Sequence, residues 1–278
     1  MTHALAVRHG PFGRACLYRM NKPLATHAHR EGHLTFLVQG VPFRQKIADD
    51  LFDGCGVEAV AINSWEPHDF RPIDVSEGAL ILVLYITPSW FLREGEGTSS
   101  SLRFGRTQIE VTRNIHHYVH HVAGMLLDDD SSDLLDGYLY ELTRDCFEQS
   151  WRGQPDAGVP RRHCHTSVTD FRVRKSIRIL SEKVGSDIVL DDVARESGLS
   201  RPHFYKLFRE QIGITPNLFL NTLRMEKALD YLATTSMTVT DISFDLGFSS
   251  QSGFTRFFSS NVGLAPSDYR RVAHVLTG

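Results

Sequence analysis

Four histidines have types and spacings that could do chemistry: His27, His29, His33 and His68. Side chains at i and i+2 of an extended strand point to the same face, so His27 and His29 would present two imidazoles together. With His33 and His68 they could offer three or four nitrogens to a divalent transition metal, or hydrogen bonds to a small molecule. A second chemistry lies between Asp191 and Arg270, where one pattern of short helix, turn glycine, serine and second helix occurs twice. Asp192/Asp241 and Gly198/Gly247 are 49 residues apart, whereas Phe204/Phe254, Phe208/Phe258, Gly213/Gly263 and Pro216/Pro266 are 50 apart, so the second turn holds one extra residue. Each copy reads as a helix-turn-helix. Phe204, Leu207 and Phe208, or Phe254, Phe257 and Phe258, turn inward at i, i+3, i+4 spacing, and what faces out is expected to meet DNA.

The elements that must position the histidines are strands. Ala15–Met20, Leu34–Val38, Val57–Ile62 and the apolar run Ala79–Ile86 are separated by turn-rich pieces such as Asp53-Gly-Cys-Gly56. Short strands without helices between them predict a small β-sandwich or barrel. His27-Ala-His29, His33 and Gly40 resemble the first cupin motif, with His33 where that motif has glutamate, and His68 fits the lone histidine of the second. The sequence departs from that pattern after Pro67, where the usual glycine is missing, and at Pro72, where asparagine is usual. Three readings stay open: a metal site, a metal-free ligand pocket, or neither. Phe36 and Trp65 would give an effector pocket an apolar wall.

From Thr107 to Phe147 the period becomes helical. Val111, Ile115, Tyr118, Val119, Val122 and Leu126 form one stripe, and Leu135, Tyr138, Leu139, Leu142 and Cys146 another, so a helical hairpin is expected. It could cover the barrel, form a dimer seam, or both. His116, His117, His120 and His121 make two i, i+4 pairs on its first helix and read as a polar flank. Residues 151–168, rich in glycine and proline, read as a linker; His163-Cys164-His165 within it lacks a second metal-binding pair.

Composition fits a soluble globular chain, 41% hydrophobic and 23% charged, with no apolar run of membrane-spanning length. The start does not resemble a signal peptide, so a cytoplasmic location is expected. Cys16, Cys55, Cys146 and Cys164 are scattered and expected to be reduced thiols. Residues 1–165 carry 16 basic against 21 acidic side chains, and residues 166–278 carry 14 against 12. The small positive excess lies with the repeats, so DNA affinity would rely on placed arginines and on dimerisation more than on a broad basic field.

Val173, Ile177, Leu180 and Val184 mark a helix leading into the repeats. Thr215-Pro216 starts a long helix between them, with Leu218, Met225, Leu229 and Leu232 on one face. Two helix-turn-helices joined by a helix with Arg224-Met-Glu-Lys-Ala228, followed by Asp241-Ile-Ser-Phe-Asp-Leu-Gly-Phe248, Gln251-Ser-Gly-Phe254-Thr-Arg256 and Gly263-Leu-Ala-Pro266, resemble the AraC/XylS family of transcriptional regulators. The resemblance implies an α+β chain of two domains: a cupin-like β-barrel with a helical hairpin, and an all-α tandem helix-turn-helix domain. The expected boundaries are 1–105 for the effector-binding β domain, 106–150 for the hairpin, 151–168 for the linker and 169–278 for the DNA-binding domain.

Carried over by position, the first recognition helix would read DNA with Arg201, Pro202, Tyr205, Lys206 and Arg209, and the second with Gln251, Ser252, Thr255 and Arg256. Arg and Lys suit guanine and Gln suits adenine, whereas Pro202 has no side-chain donor. Ser243 stands where the family usually has alanine, and Ser259 where a basic residue commonly reaches phosphate. The resemblance implies promoter DNA, RNA polymerase and a small-molecule effector as partners, a homodimer and no enzymatic activity. The effector site would be drawn from His27, His29, Phe36, Trp65 and His68, and a metal, if present, would use His27, His29, His33 and His68. The alternatives are a metal-dependent cupin enzyme fused to a DNA-binding domain, and an ungated DNA-binding protein whose first domain only dimerises.

Overall fold

The computed structural model describes residues 2–92, 102–128, 133–152, 168–185 and 188–276. Nine strands come first: β1 (His3–Gly10), β2 (Gly13–Met20), β3 (Leu24–His27), β4 (Gly32–Gly40), β5 (Phe43–Ile47), β6 (Asp50–Gly54), β7 (Glu58–Ile62), β8 (His68–Pro72) and β9 (Ala79–Ile86). A short helix α1 (Pro88–Phe91) and strand β10 (Gln108–Glu110) lead to helices α2 (Arg113–Leu127) and α3 (Asp133–Trp151). The strands form two sheets, one ordered β10-β7-β4-β9-β2-β1 with a further strand at its β1 edge, the other β3-β8-β5-β6.

Alternation along the larger sheet explains its sequence. Leu34, Phe36, Leu80, Leu82 and Leu84 pack on one face against α2 and α3, while Ile81, Val83, Cys16, Tyr18 and Met20 face the smaller sheet. A strand buried on both faces loses the polar alternation, which is why Ala79–Ile86 reads as an unbroken apolar run. The expected hairpin helices appear as α2 and α3, with Ile115, Val119, Val122, Leu126, Leu135, Leu139, Leu142 and Cys146 buried, but the first begins at Arg113: Gln108–Glu110, expected to be helical, is β10 paired with β7, and Val111 follows it outside α2. The polar connection between these helices lies partly outside the described residues, as do 153–167 of the expected linker, with His163, Cys164 and His165. Cys16 and Cys146 are buried free thiols and Cys55 is a half-buried one.

The remaining helices are α4 (Phe171–Glu182), α5 (Leu190–Glu196), α6 (Arg201–Ile212), α7 (Pro216–Thr234), α8 (Val239–Asp245), α9 (Gln251–Val262) and α10 (Pro266–Val272). Gly198 and Gly247 in the two turns have φ of 75° and 74°, and Gly213 and Gly263 end α6 and α9 at 88° and 82°, conformations that cost a β-carbon about 1–2 kcal/mol. Thr215 caps α7 by accepting from the Leu218 N–H, with Pro216 at the first helical position. Ser250 caps α9 through Gly253 N–H, but Ser200, the serine at the same place in the first repeat, makes no side-chain cap on α6. Pro202 in the first turn of α6 removes one of the orphan donors such a cap would serve.

A final strand, β11 (Ala273–Val275), adds itself in parallel to β1, and Leu276 N–H donates to the His9 carbonyl at 2.8 Å. This short pairing follows α10 directly and ties the helical region to the barrel. The packing continues that tie. Met225, Leu229, Phe254, Phe258 and Tyr269 belong to the same buried cluster as Cys16, Ile81 and Val83, whereas Phe204, Phe208 and Phe219 form a separate core around the first helix-turn-helix.

Candidate functional site

The barrel histidines come together. His27 and His68 are paired residues on β3 and β8 of the smaller sheet, and His33 on β4 approaches from the larger sheet. His29 follows β3 in the loop to β4. Ring centroids are 4.4 Å apart for His27 and His68, 4.7 Å for His33 and His68, and 4.8 Å for His27 and His29. Tyr85 of β9 stacks on His33 at 5.1 Å and carries the Arg14 guanidinium 3.9 Å above its ring. Burial holds His27, His29, His33 and His68 below the usual imidazole range, His33 at about 3, so all four are neutral.

These groups line one end of a cavity whose other end is apolar. Met20, Leu24, Phe70, Ile81 and Val83 of the barrel and Leu218, Met225, Leu229 and Val262 of the helical region complete it. Among the described residues, His29 Nε2, His33 Nδ1, Thr35 Oγ1, Gln45 Oε1 and Arg14 Nε are shielded from solvent without a hydrogen-bond partner, and all five side chains line this cavity. Unpaired buried polar atoms cost about 1–3 kcal/mol each, so this end of the cavity holds unmet hydrogen-bonding capacity.

Phe36 does not reach the cavity. It is one residue out of phase with Thr35 and packs on the opposite face of β4 against the hairpin helices. Trp65 is displaced too: its left-handed backbone, φ 61°, turns the ring onto Phe219 of α7, stacked at 4.8 Å and 12°. It is a domain-contact residue there. Sequence reading passed over Arg14, Thr35, Gln45 and Tyr85. Thr35 could have been found from its i+2 relation to His33, and Arg14 from its place as a charge beside an apolar strand. Arg44 and Arg71, outside the cavity, are engaged by Asp53 and Asp69 at 2.8 and 2.6 Å. The α2 histidines lie on its exposed side as two pairs, His116/His120 at 4.3 Å and His117/His121 at 4.2 Å between centroids.

One wall of the cavity is α7, the helix that joins the two helix-turn-helices. Thr222 Oγ1 donates to the Ala28 carbonyl at 3.2 Å, and the Arg30 N–H donates to Glu226 Oε1 at 3.3 Å. Trp65, whose ring stacks on Phe219, donates its backbone N–H to the His29 carbonyl at 2.7 Å. On the far side His9 Nε2 meets Tyr269 Oη at 2.8 Å.

Two groups at these contacts titrate with opposite sign. Burial, then the Arg14 charge, lowers His9 from 6.5 to about 3, so its contribution to the docked state is complete above 6.5 and is lost as pH falls below that value toward 3. Burial, then Glu31, raises Glu226 from 4.5 to about 7, so its contribution is complete below 4.5 and is lost as pH rises through 7. Each slope is at most on the order of 1.4 kcal/mol per pH unit, and they oppose one another between the two unperturbed values. Relative to the wild type, Glu226→Gln should therefore lose melting temperature more steeply on acidification from neutral pH, and His9→Gln less steeply. Parallel melting curves for all three proteins would show that neither group is coupled to docking.

Of the side chains expected to meet DNA, Arg201, Pro202, Lys206 and Arg209 of α6 and Gln251, Ser252 and Arg256 of α9 are exposed, and Tyr205 and Thr255 are half-buried. Asp191 holds Arg201 at 3.2 Å, and Lys206 lies 3.9 Å from Glu210. Gln251 Oε1 accepts from Thr240 Oγ1 at 2.8 Å, and Asn217 Nδ2 donates to Tyr205 Oη at 3.1 Å. Ser243 is buried and donates to the Thr240 carbonyl, while Ser259 turns back to the Leu264 carbonyl. Among the described residues no helix is long and apolar enough to cross a membrane.

Residues 193–272 match a family model described as a helix-turn-helix domain. The lactose operon transcription activator of Staphylococcus xylosus is 25% identical over 162 residues, 57% of this chain and 54% of that protein, so the chain spans about half the length of this relative. The Transposon Tn10 TetD protein of Escherichia coli is 31% identical over 110 residues, 40% of this chain and 77% of that protein. Among solved structures, an apo variant of ToxT from Vibrio cholerae superposes with a TM-score of 0.60 at 14% identity, covering 93% of this chain and 96% of that one. An unsaturated fatty acid-bound ToxT superposes at 0.53 with 12% identity, covering 98% and 95%, and these likenesses extend the shared fold to the barrel. With the duplicated helix-turn-helix, the α7 spacer, the family model over 193–272 and these relatives, the chain belongs to the AraC/XylS family of transcriptional regulators.

Proposed function

We propose that the chain is a promoter-binding transcriptional regulator, an activator, whose grip on DNA is set by a small molecule in the cavity between the barrel and α7. The observation that carries this reading is the cavity wall. A ligand there touches the barrel and the helix connecting both DNA-reading motifs, so any preference for one arrangement of α7 becomes a change in DNA affinity. Unpartnered polar atoms at one end and Met225, Leu229, Ile81 and Val83 at the other suit a molecule with an acidic or hydrogen-bonding head and an apolar body. The fatty acid of the ToxT structure is a ligand of that class, in a protein of the same fold.

In this reading the protein works in the cytoplasm as a homodimer through the α2/α3 hairpin, contacts RNA polymerase at the promoter and catalyses no reaction. What supports binding is the cavity's lining, buried polar atoms beside an apolar wall shared by the barrel and α7. The test is a titration of monocarboxylates of increasing chain length against the full chain bound to a DNA fragment it has itself enriched from a random pool. At least one should change DNA affinity by fivefold or more, on the order of 1 kcal/mol of coupling. Val83→Phe, which fills the apolar end, should abolish that response while DNA binding persists. A response unchanged in Val83→Phe would place the effector elsewhere.

A further inference from the structure

The polar end of the cavity has the features of a cation site, and we propose that His27, His29 and His68, with His33 as a fourth donor, hold a divalent transition metal ion whose binding is transmitted to α7 through the His29 loop. This deepens the reading of the cavity as the regulatory site and rests on it.

The tautomers are already set. His27 Nδ1 lies 2.7 Å from the Ala25 carbonyl and His68 Nδ1 lies 2.8 Å from the Glu66 carbonyl. A carbonyl only accepts, so both Nδ1 atoms carry the hydrogen and both Nε2 atoms are left as lone pairs. A backbone acceptor behind the imidazole is the usual outer partner of a metal-bound histidine, because it fixes the ring and raises its basicity. His29 Nε2 and His33 Nδ1 are buried without a partner, and one nitrogen each from His27, His29 and His68 lie within 4.8 Å of one another.

Four imidazoles without a carboxylate or thiolate select borderline ions such as zinc, nickel, cobalt or copper over magnesium or calcium. Arg14 opposes a cation here. Glu31 and Asp230 offset it, lining with Arg14 and His29 the adjoining opening.

The route to the DNA-binding region follows from which donor can move. Nitrogens around a tetrahedral ion stand about 3.4 Å apart, so a set spread up to 4.8 Å must draw in. His27, His33 and His68 sit on paired strands; His29 is on a loop. Its neighbours are the contacts to α7: Ala28 accepts from Thr222, Arg30 meets Glu226, and the His29 carbonyl holds Trp65 against Phe219. Closing the site pulls on all three.

The α2 pairs could bind metal in the background, so the parent protein for the test carries His120→Ala and His121→Ala, which leaves one imidazole in each pair. Dialysed full chain is titrated with cobalt(II) and zinc(II), followed by metal analysis and by the visible absorption of four-coordinate cobalt. One equivalent should bind with the intense bands of a tetrahedral site, and His27→Ala/His68→Ala should weaken it by a hundredfold or more. His29→Gln, a loop substitution that leaves the strands intact, should weaken it at least tenfold and covers the case in which the double variant fails to fold. No saturable equivalent, or binding unchanged in His29→Gln, overturns the site. Zinc at one equivalent should also change affinity for the enriched DNA fragment several-fold, and Thr222→Val should reduce that change with the metal still bound. Metal that binds without altering DNA affinity overturns the transmission. A chain that responds to a carboxylate but takes up no metal keeps the effector reading and loses this one.

Discussion

Phe258→Ala is expected to cost about 3–5 kcal/mol and to be felt in both halves of the molecule. The ring is fully buried, 5.9 Å from Phe254 and 5.7 Å from Tyr269 between centroids, and Tyr269 is the residue that meets His9 of β1. Its cluster runs through Met225 and Leu229 into Ile81 and Val83 of the barrel without a break. Phe208 in the first helix-turn-helix is the control. It is equally buried, but its cluster meets the barrel through Trp65. Phe208→Ala should cost a similar amount yet release only the first motif, giving an early separate transition in urea while the barrel and second motif unfold later. Phe258→Ala should instead lower the main transition as a whole. An early separate phase in Phe258→Ala, with the barrel transition unmoved, would show that the shared core does not couple the two regions energetically.

The parts of the fold legible in the sequence were those whose pattern repeats. The duplicated helix-turn-helix, its turn glycines and the Thr215 cap of α7 follow from local rules that tertiary contacts did not overrule, and the α2 and α3 stripes were read because each helix has one buried face. β1, β3, β5, β6, β8 and β10 were not read. β5 alternates buried and exposed residues, but as Phe-Arg-Gln-Lys-Ile it carries only two apolar side chains, and Gln45 takes an inward place that the pattern assigns to an apolar residue. That substitution is itself a site signal, since Gln45 lines the cavity.

The histidines could be grouped because His27 and His29 are two residues apart and His33 and His68 fit a known spacing. Phe36 and Trp65 were assigned by proximity in sequence, which fails where a strand sends successive side chains to opposite faces and where one residue adopts positive φ. The largest omission was α7 as a cavity wall. Leu218, Met225 and Leu229 look like a core stripe, and nothing local distinguishes a stripe that meets its own domain from one that closes a cavity in another. The β11 pairing with β1 was equally hidden, because three residues, Ala-His-Val with none fully buried, carry no period.

Lys206→Ala should lose more discrimination between DNA sequences than Arg256→Ala, by about 1–3 kcal/mol, or roughly ten- to a hundredfold at the base pair it reads. The basic side chains of α6 are lightly engaged: that of Lys206 is 73% exposed and 3.9 Å from Glu210, and Arg201 pairs with the exposed Asp191 at 3.2 Å and lies 5.8 Å over the Tyr205 ring. The side chains of α9 are partly committed. Bidentate reading of adenine needs both the donor and the acceptor of a glutamine, and the Gln251 oxygen already accepts from Thr240. Ser252 Oγ lies 3.2 Å from the capping Ser250. Arg256 is exposed and free to meet phosphate, so its loss should weaken all sequences alike and reduce the salt dependence of binding by about one counterion. Affinities of both variants for the enriched fragment and for single-base changes across it, at several salt concentrations, separate the two roles. A wider loss of specificity from Arg256→Ala than from Lys206→Ala would reverse the assignment and make α9 the reading helix.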